Sequence, residues 1–98
     1  MNNKIETICV IPAYNEEKTI KDIINTCRQY VDTVLVVNDA STDLTAEIVK
    51  QTDVKLLSNV SNCGYEVSIR RGFNYAIENN YTYLVFIDGD GQHPCNLI

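Results

Sequence analysis

Four short apolar runs are spread along the chain, and polar or turn-forming residues separate them. They cover residues 8–11, 33–37, 54–57 and 83–87, and most of their members are β-branched, aliphatic or aromatic. Continuous apolar runs of this length are typical of strands that are buried on both faces, as in a parallel sheet. The pattern therefore predicts four strands, and Pro12 is expected to end the first of them.

Apolar residues at helical spacing stand between the predicted strands. Asn15 is placed to cap a first helix, whose apolar stripe runs from Ile20 to Cys27. A second helix is expected after the polar residues 38–43, and a third, weaker helical pattern is interrupted by Gly72. The chain thus alternates between strands and helices.

This alternation, with about thirty residues in each unit, predicts β-α-β crossovers and a mainly parallel sheet. We expect an α/β fold of the Rossmann-like type, with helices on both faces of the sheet in three layers, α/β/α. In such folds ligands bind outside the carboxyl ends of the strands, near the point where the strand order reverses. Three polar segments, residues 13–16, 38–43 and 88–93, fall at this edge.

The composition excludes several classes of protein. Of the 98 residues, 45% are hydrophobic and 21% are charged, as in an ordinary globular domain with one core. The net charge of −5, with Arg70 and Arg71 as the only adjacent basic pair, argues against a nucleic-acid-binding surface. The apolar runs are far shorter than the roughly 20 residues that span a bilayer, and the N-terminus lacks a secretory signal pattern. A cytoplasmic protein is expected.

The four cysteines, Cys9, Cys27, Cys63 and Cys95, are widely separated along the chain. They form neither a C-x-x-C pair nor a metal-binding spacing with the single histidine, His93. We expect free thiols, with Cys9 and Cys27 buried in apolar stripes and Cys63 and Cys95 in loops.

Two carboxylates directly follow the fourth predicted strand. Asp88 and Asp90 flank Gly89, so their side chains can converge on one cation at a tight turn. Carboxylate oxygens suit Mg²⁺ or Mn²⁺, and Gln92 offers a further carbonyl oxygen. Because Asp and Gly are common turn residues, an ordinary turn is the alternative explanation of this segment.

Asp39 ends the second predicted strand. Its carboxylate can accept hydrogen bonds from the N–H groups on the edge of a uracil or guanine base. The alternative is that it caps the following helix, a role that Ser41, Thr42 and Asp43 are equally suited to fill.

Tyr14 and Glu16 follow the first predicted strand. The ring of Tyr14 can lie against a planar base. The carboxylate of Glu16 can accept a hydrogen bond from a ribose hydroxyl, or it can simply favour the positive end of the first helix.

A dinucleotide-dependent oxidoreductase would need the motif G-x-G-x-x-G after the first strand. Residues 13–16 contain no glycine, which argues against this class of enzyme.

Three segments, IPAYNEE at residues 11–17, VNDASTD at residues 37–43 and DGDGQHP at residues 88–94, resemble the successive signatures of family 2 glycosyltransferases with the GT-A fold. The last is similar to the metal loop of dolichyl-phosphate and polyprenyl-phosphate sugar synthases. The resemblance covers residues 5–98. It implies that residues 1–98 form the nucleotide-sugar-binding part of a glycosyltransferase domain, ahead of the part that binds the acceptor.

The resemblance also implies roles for individual residues. The donor-binding residues would be Pro12, Tyr14, Glu16, Asp39 and Asp88. The ligands of an Mg²⁺ or Mn²⁺ ion on the diphosphate would be Asp88, Asp90 and Gln92. His93, in the same segment, would either organise the loop or accept a proton.

The implied reaction is the transfer of a sugar, with inversion, from a nucleoside-diphosphate sugar of the UDP or GDP type. The acceptor would be a polyprenyl phosphate or a glycan, and the cation would neutralise the departing diphosphate. The resemblance implies that the general base is an Asp that lies well beyond the metal loop, so no catalytic residue is expected up to Ile98. It also implies that the parent protein is associated with the inner face of a membrane. The alternative is a nucleotide-binding fragment without transferase activity.

The chain departs from the family's pattern at two places. Many members read D-D-G-S where residues 38–41 read N-D-A-S, which leaves Asp39 as the only carboxylate for the base. The loop N-C-G at residues 62–64 lacks the basic residue that often follows it in the family. Of Arg70 and Arg71, at most one can face the diphosphate, because adjacent residues on a helix diverge by about 100°.

The fourth predicted strand is expected to form an edge of the sheet. Such an edge exposes unpaired backbone groups and apolar surface, and on this ground the chain is expected to self-associate or to be only marginally stable.

Overall fold

The structure is a computed structural model that describes residues 6–87 and the backbone of residues 95–97. Strands and helices alternate up to the last two strands. The elements are β1 (Thr7–Ala13), α1 (Ile20–Cys27), β2 (Thr33–Asn38), α2 (Thr45–Lys50), β3 (Lys55–Ser58), α3 (Tyr65–Glu78), β4 (Tyr83–Phe86) and β5 (Cys95–Leu97). The four predicted strands and three predicted helices are therefore present.

The strands form one sheet in the order β3-β2-β1-β4-β5. β1 pairs in parallel with both β2 and β4, and β2 pairs in parallel with β3. The chain thus builds the sheet outward from β1 in one direction and then returns to the other side of β1 with β4. The strand order reverses between β1 and β4, which is where ligands of such sheets bind.

Helices cover both faces of the sheet. Along β1, Cys9 and Ile11 belong to the core cluster that also includes buried residues of α1 and α2. Ile8 and Val10 belong to the opposite cluster, which includes Ala76 of α3. Fully burying an isoleucine or valine side chain stabilises the fold by roughly 1.5 to 3 kcal/mol. The predicted three-layer α/β/α fold is confirmed.

The prediction that the fourth strand forms an edge of the sheet is wrong. β5 pairs antiparallel with β4, with Cys95 opposite Phe86. Cys95 consequently lies in a strand and not in a loop. In the part of the chain that the structure describes, β3 and β5 are the edges, and the unpaired β4 on which the expected self-association rested does not exist.

The first helix begins later than predicted, because Asn15 does not cap it. The backbone of Asn15 has φ 53°, in the left-handed region, so the chain turns sharply after β1. The carbonyl of Glu16 then accepts hydrogen bonds from the N–H groups of Thr19 (3.1 Å) and Ile20 (2.9 Å), and the helix begins at Ile20. Residues 14–19 are thus a loop at the carboxyl edge of the sheet.

Gly72 does not interrupt α3, which runs through it without a break. A Cβ atom at Gly72 would lie 2.3 Å from Cγ1 of Val10. The helix therefore approaches β1 at this point more closely than any side chain would allow. A glycine inside a helix costs about 1 kcal/mol relative to alanine, and the close packing of α3 on the sheet offsets that cost.

Cys9, Cys27 and Cys63 are free thiols, as predicted. Cys9 of β1 donates a hydrogen bond to Cys27 of α1, with 3.4 Å between the two sulfur atoms. This hydrogen bond, together with burial, raises the pKa of the Cys9 thiol. The pair therefore behaves as a small part of the core, whereas Cys63 is exposed.

Candidate functional site

The loops that follow β1 and β2 are joined by hydrogen bonds between side chains and backbone. The side-chain oxygen of Asn15 accepts from the N–H groups of Thr42 (2.8 Å) and Asp43 (3.3 Å). In return, the N–H of Asn15 donates to the hydroxyl oxygen of Ser41 (2.9 Å). Each loop thus satisfies backbone groups of the other.

Asp43 is the centre of a second set of these bonds. Its carboxylate accepts from the N–H and the hydroxyl of Thr45 (2.9 and 2.5 Å) and from the N–H of Glu17 (3.2 Å). The Thr45 oxygen accepts from the N–H of Glu16, and the Glu17 carboxylate accepts from the N–H of Leu44, both at 2.9 Å. Burial would raise the pKa of Asp43, but the hydrogen bonds from Thr45 and Glu17 hold that pKa below its usual value.

Asp39 lies directly after β2 and is 5% exposed. Its Oδ1 accepts hydrogen bonds from Nδ2 of Asn59 (2.7 Å) and from the N–H of Cys63 (2.8 Å). Its Oδ2 accepts from the N–H of Gly64 (2.9 Å). The N–H of Asp39 donates to the carbonyl of Ala13 (2.9 Å), so the backbone of Asp39 lies beside the end of β1.

These contacts decide the charge of Asp39. Burial by itself would raise the pKa of its carboxyl group, but the hydrogen bonds from Cys63, Asn59 and Gly64 prevail and hold the pKa below its usual value. Asp39 is therefore ionised at neutral pH. It does not cap α2, because Asp43 accepts the hydrogen bond from the N–H of Thr45 at the start of that helix.

The lowered pKa of Asp39 predicts a dependence of stability on pH. A carboxyl group whose pKa in the folded state lies below its ordinary value of 3.8 stabilises the fold fully above that value. This stabilisation is lost as the pH falls through the folded-state pKa. We expect the free energy of unfolding, from urea denaturation at about pH 7 and about pH 3, to fall less in Asp39→Asn than in the wild type. The same fall in both proteins would contradict this account of Asp39.

Asn59 connects Asp39 to α3. Its Nδ2 donates to Asp39 and also to the hydroxyl oxygen of Ser68 (3.1 Å), and its Oδ1 accepts from Nη1 of Arg71. Its N–H donates to the carbonyl of Asn38 (2.8 Å), at the end of the neighbouring strand. Asn59 is 8% exposed and Ser68 is fully buried. The site therefore includes a buried polar network that the sequence analysis missed.

The chain matches the sequence model of the family described as Glycosyl transferase family 2 over residues 8–98. It belongs to this family. The predicted resemblance is thereby confirmed.

Three similar proteins illustrate the relationship. The uncharacterized protein MJ0544 of Methanocaldococcus jannaschii is 37% identical over 88% of this chain and 41% of its own length. The UDP-N-acetylglucosamine--dolichyl-phosphate N-acetylglucosaminyltransferase of Methanococcus voltae is 30% identical over 86% of this chain and 41% of its own. The structure of glucosyl-3-phosphoglycerate synthase from Mycobacterium tuberculosis with uridine diphosphate superposes with a TM-score of 0.73, at 25% identity, over 88% of this chain and 34% of the other.

This family 2 glycosyltransferase chain spans between 30% and 41% of the length of the curated relatives it matches. The sheet and helices described above correspond to the GT-A fold of its structural neighbours.

Pro12 is buried within β1, which continues to Ala13 and does not end at the proline as expected. The carbonyl of Val10 accepts from the N–H of Ile87 on the β4 side, and Val10 is the last residue of β1 that pairs with β4. Since backbone groups alternate in direction along a strand, Pro12 faces that same side, two residues beyond the pairing. Pro12 therefore lacks the N–H that the next bond to β4 would need, and its pairing with β2 is unaffected.

The structure brings part of the predicted donor site together. Tyr14 is 46% exposed at the end of β1, next to the residue that contacts Asp39, and Glu16 is half-buried. Four further residues of the predicted site lie outside the described residues, namely Asp88, Asp90, Gln92 and His93. Among residues 6–87, no group of three or more His, Cys, Asp or Glu side chains is arranged to hold a metal ion.

The two adjacent arginines differ, as their positions on a helix predict. Arg71 is half-buried and donates to Asn59, whereas Arg70 is exposed.

At the first departure from the family's pattern, the side chain of Asn38 accepts from the N–H of Ser41 (3.1 Å).

No helix within residues 6–87 combines the length and apolar composition that crossing a bilayer requires.

Proposed function

We propose that residues 1–98 form the nucleotide-sugar-binding part of a transferase that moves a sugar, with inversion, from a nucleoside-diphosphate sugar to a lipid-phosphate or glycan acceptor. The observation that carries this proposal is the ionised, buried carboxylate of Asp39, a residue at the carboxyl edge of the sheet whose backbone is hydrogen-bonded to Ala13, the neighbour of the exposed Tyr14. The name of the Methanococcus voltae relative, which gives UDP-N-acetylglucosamine as donor and dolichyl phosphate as acceptor, supports the same donor and acceptor classes.

Each donor-binding residue has a distinct task in this proposal. The Asp39 carboxylate accepts a hydrogen bond from the base, and the exposed ring of Tyr14 lies against the base plane. Glu16 accepts from a ribose hydroxyl, since the bond between its own N–H and Thr45 holds its backbone at the edge of the sheet. Pro12 stiffens the end of β1 behind them.

We further propose that Asp88, Asp90 and Gln92 hold an Mg²⁺ or Mn²⁺ ion and that Asp88 also contacts the donor. A divalent cation bound there would neutralise the charge that develops on the departing diphosphate. The structures of glucosyl-3-phosphoglycerate synthase with Mn²⁺ or Mg²⁺ and uridine diphosphate support the choice of ion. For a lipid-phosphate acceptor, the reaction would take place at the cytoplasmic face of a membrane.

Calorimetric titration with uridine and guanosine diphosphates, each with and without Mn²⁺, tests the proposal. We expect binding that Mn²⁺ strengthens, and we expect Asp90→Asn to abolish this enhancement because one ligand of the ion is lost. Stability of the metal-free protein should stay the same or rise slightly, since two nearby carboxylates repel each other. An enhancement that survives in Asp90→Asn would place the ion elsewhere.

A transfer assay separates the transferase from the alternative, a nucleotide-binding fragment without transferase activity. The assay supplies a nucleoside-diphosphate sugar together with a polyprenyl phosphate. Product above the hydrolytic background would establish transfer by this chain. Metal-dependent nucleotide binding without product would favour the alternative.

A further inference from the structure

We propose that Asn59, held in place by Arg71, makes Asp39 select a base that presents a single N–H donor, which is uracil, over guanine, which presents two. This inference rests on the proposed function, because it takes Asp39 as the residue that reads the base. It assigns the choice of nucleotide to two residues that do not touch the nucleotide.

The argument begins with the capacity of the carboxylate. Each of its two oxygens offers two acceptor positions, four in all. Asn59 and Cys63 occupy both positions on Oδ1, and Gly64 occupies one position on Oδ2. With respect to the described residues, Asp39 therefore has one position left, on Oδ2.

The bases differ in what they offer to such a carboxylate. Uracil presents one N–H, flanked by two carbonyl groups, so a single acceptor satisfies it. Guanine presents an imino N–H and an amino N–H side by side, and both find acceptors only when both oxygens of a carboxylate are open. Cytosine has no ring N–H at this edge, because its ring nitrogen is an acceptor that the carboxylate repels, and only its amino group can donate.

With Oδ1 filled, guanine would leave its amino N–H without an acceptor at Asp39. A polar group left unsatisfied in a buried site weakens binding by about 5- to 150-fold, which corresponds to about 1 to 3 kcal/mol. The occupied Oδ1 thus works against guanine without any steric clash.

Arg71 determines which end of the Asn59 amide faces Asp39. The amide oxygen of Asn59 accepts from the Arg71 guanidinium, so its NH₂ group is left to donate to Asp39 and Ser68. A flipped amide would set its oxygen against the carboxylate and its NH₂ group against the guanidinium, and both contacts are repulsive. Arg71 is therefore a positioning residue that acts through Asn59.

The test is the ratio of the dissociation constants for uridine and guanosine diphosphate, measured by calorimetry in the presence of Mn²⁺. Cytidine diphosphate provides a base whose ring nitrogen at this edge carries no N–H. We expect the wild type to prefer uridine diphosphate to guanosine diphosphate by about 5- to 150-fold. Cytidine diphosphate should bind more weakly than uridine diphosphate.

Two variants test whether Asn59 and Arg71 set the preference for uridine diphosphate. Asn59→Ala opens a position on Oδ1, and Arg71→Met frees the Asn59 amide to rotate, so both should narrow the preference several-fold. Arg71→Lys should keep the preference of the wild type, because the ammonium group can donate to the same amide oxygen. Arg70→Met is the matched control, since it removes the same charge from the exposed neighbouring position and should leave the ratio unchanged.

Each outcome supports or overturns a distinct part of the proposal. Equal binding of uridine and guanosine diphosphates, or a preference for guanosine diphosphate, would overturn this inference and leave the proposed function standing. Failure of the wild type to bind any nucleotide would overturn both. An unchanged ratio in folded Asn59→Ala would exclude Asn59 as the determinant, and Arg71→Met decides the point if Asn59→Ala does not fold.

Discussion

Replacing Asp39 with alanine is expected to weaken the binding of uridine diphosphate by about 5- to 150-fold, or about 1 to 3 kcal/mol. The carboxylate is ionised and belongs to a residue that is 5% exposed, so its loss leaves an N–H group of the base without an acceptor where little water can replace it. Calorimetric titration in the presence of Mn²⁺ measures the loss directly.

Asn38→Ala is the matched control for this variant. Asn38 is also 5% exposed, directly precedes Asp39, and uses its side chain to bond Ser41 and Ser58. Its truncation disturbs the same loop without removing the acceptor, so we expect a much smaller loss of affinity. If Asp39→Ala binds as well as the wild type, with an intact circular dichroism spectrum, then Asp39 does not read the base.

Gly72→Ala is expected to lower the free energy of unfolding by about 1 to 3 kcal/mol. The added Cβ would meet Val10 at 2.3 Å, so α3 must move away from the sheet or Val10 must leave its position. The higher helix propensity of alanine, about 1 kcal/mol, offsets only part of this cost. Urea denaturation followed by circular dichroism measures the change.

Two further variants identify the cause of that loss. Asn74→Ala changes an exposed residue of the same helix and should be neutral or slightly stabilising, which controls for helix propensity. Val10→Ala makes room for the new Cβ, so the double variant with Gly72→Ala should lose less stability than the sum of the two single variants. Strict additivity would mean that Val10 and Gly72 are not in contact.

The layers of the fold could be predicted from the sequence because each depends on burial, which leaves a periodic pattern. The start of α1 and the presence of β5 could not be predicted in this way. α1 begins at Ile20 and not near Asn15 because the Asn15 side chain bonds backbone groups of Thr42 and Asp43, which only the folded sheet brings near. β5 has three residues, too few to show a period, and it was therefore not predicted.

The same distinction holds for the site. Asp39 could be singled out because it is a carboxylate at the end of an apolar strand and stands in a family signature. Asn59 follows β3 in the same way, and the parallel pairing of β2 with β3 carries it to Asp39, but an amide in a polar loop carries no such signature. Arg71 could not be assigned a partner, because its contact with Asn59 depends on the path of the chain between β3 and α3.

The bonds between the loops after β1 and β2 have a consequence for how this site can change. Residues 15–17 and 41–45 supply each other with acceptors for backbone N–H groups, through Asn15, Glu17 and Asp43. A substitution in one loop therefore strands groups in the other, although the two lie more than twenty positions apart in sequence. We therefore expect a change in either loop to be tolerated best when the other loop changes with it, so that the two loops vary as a single unit.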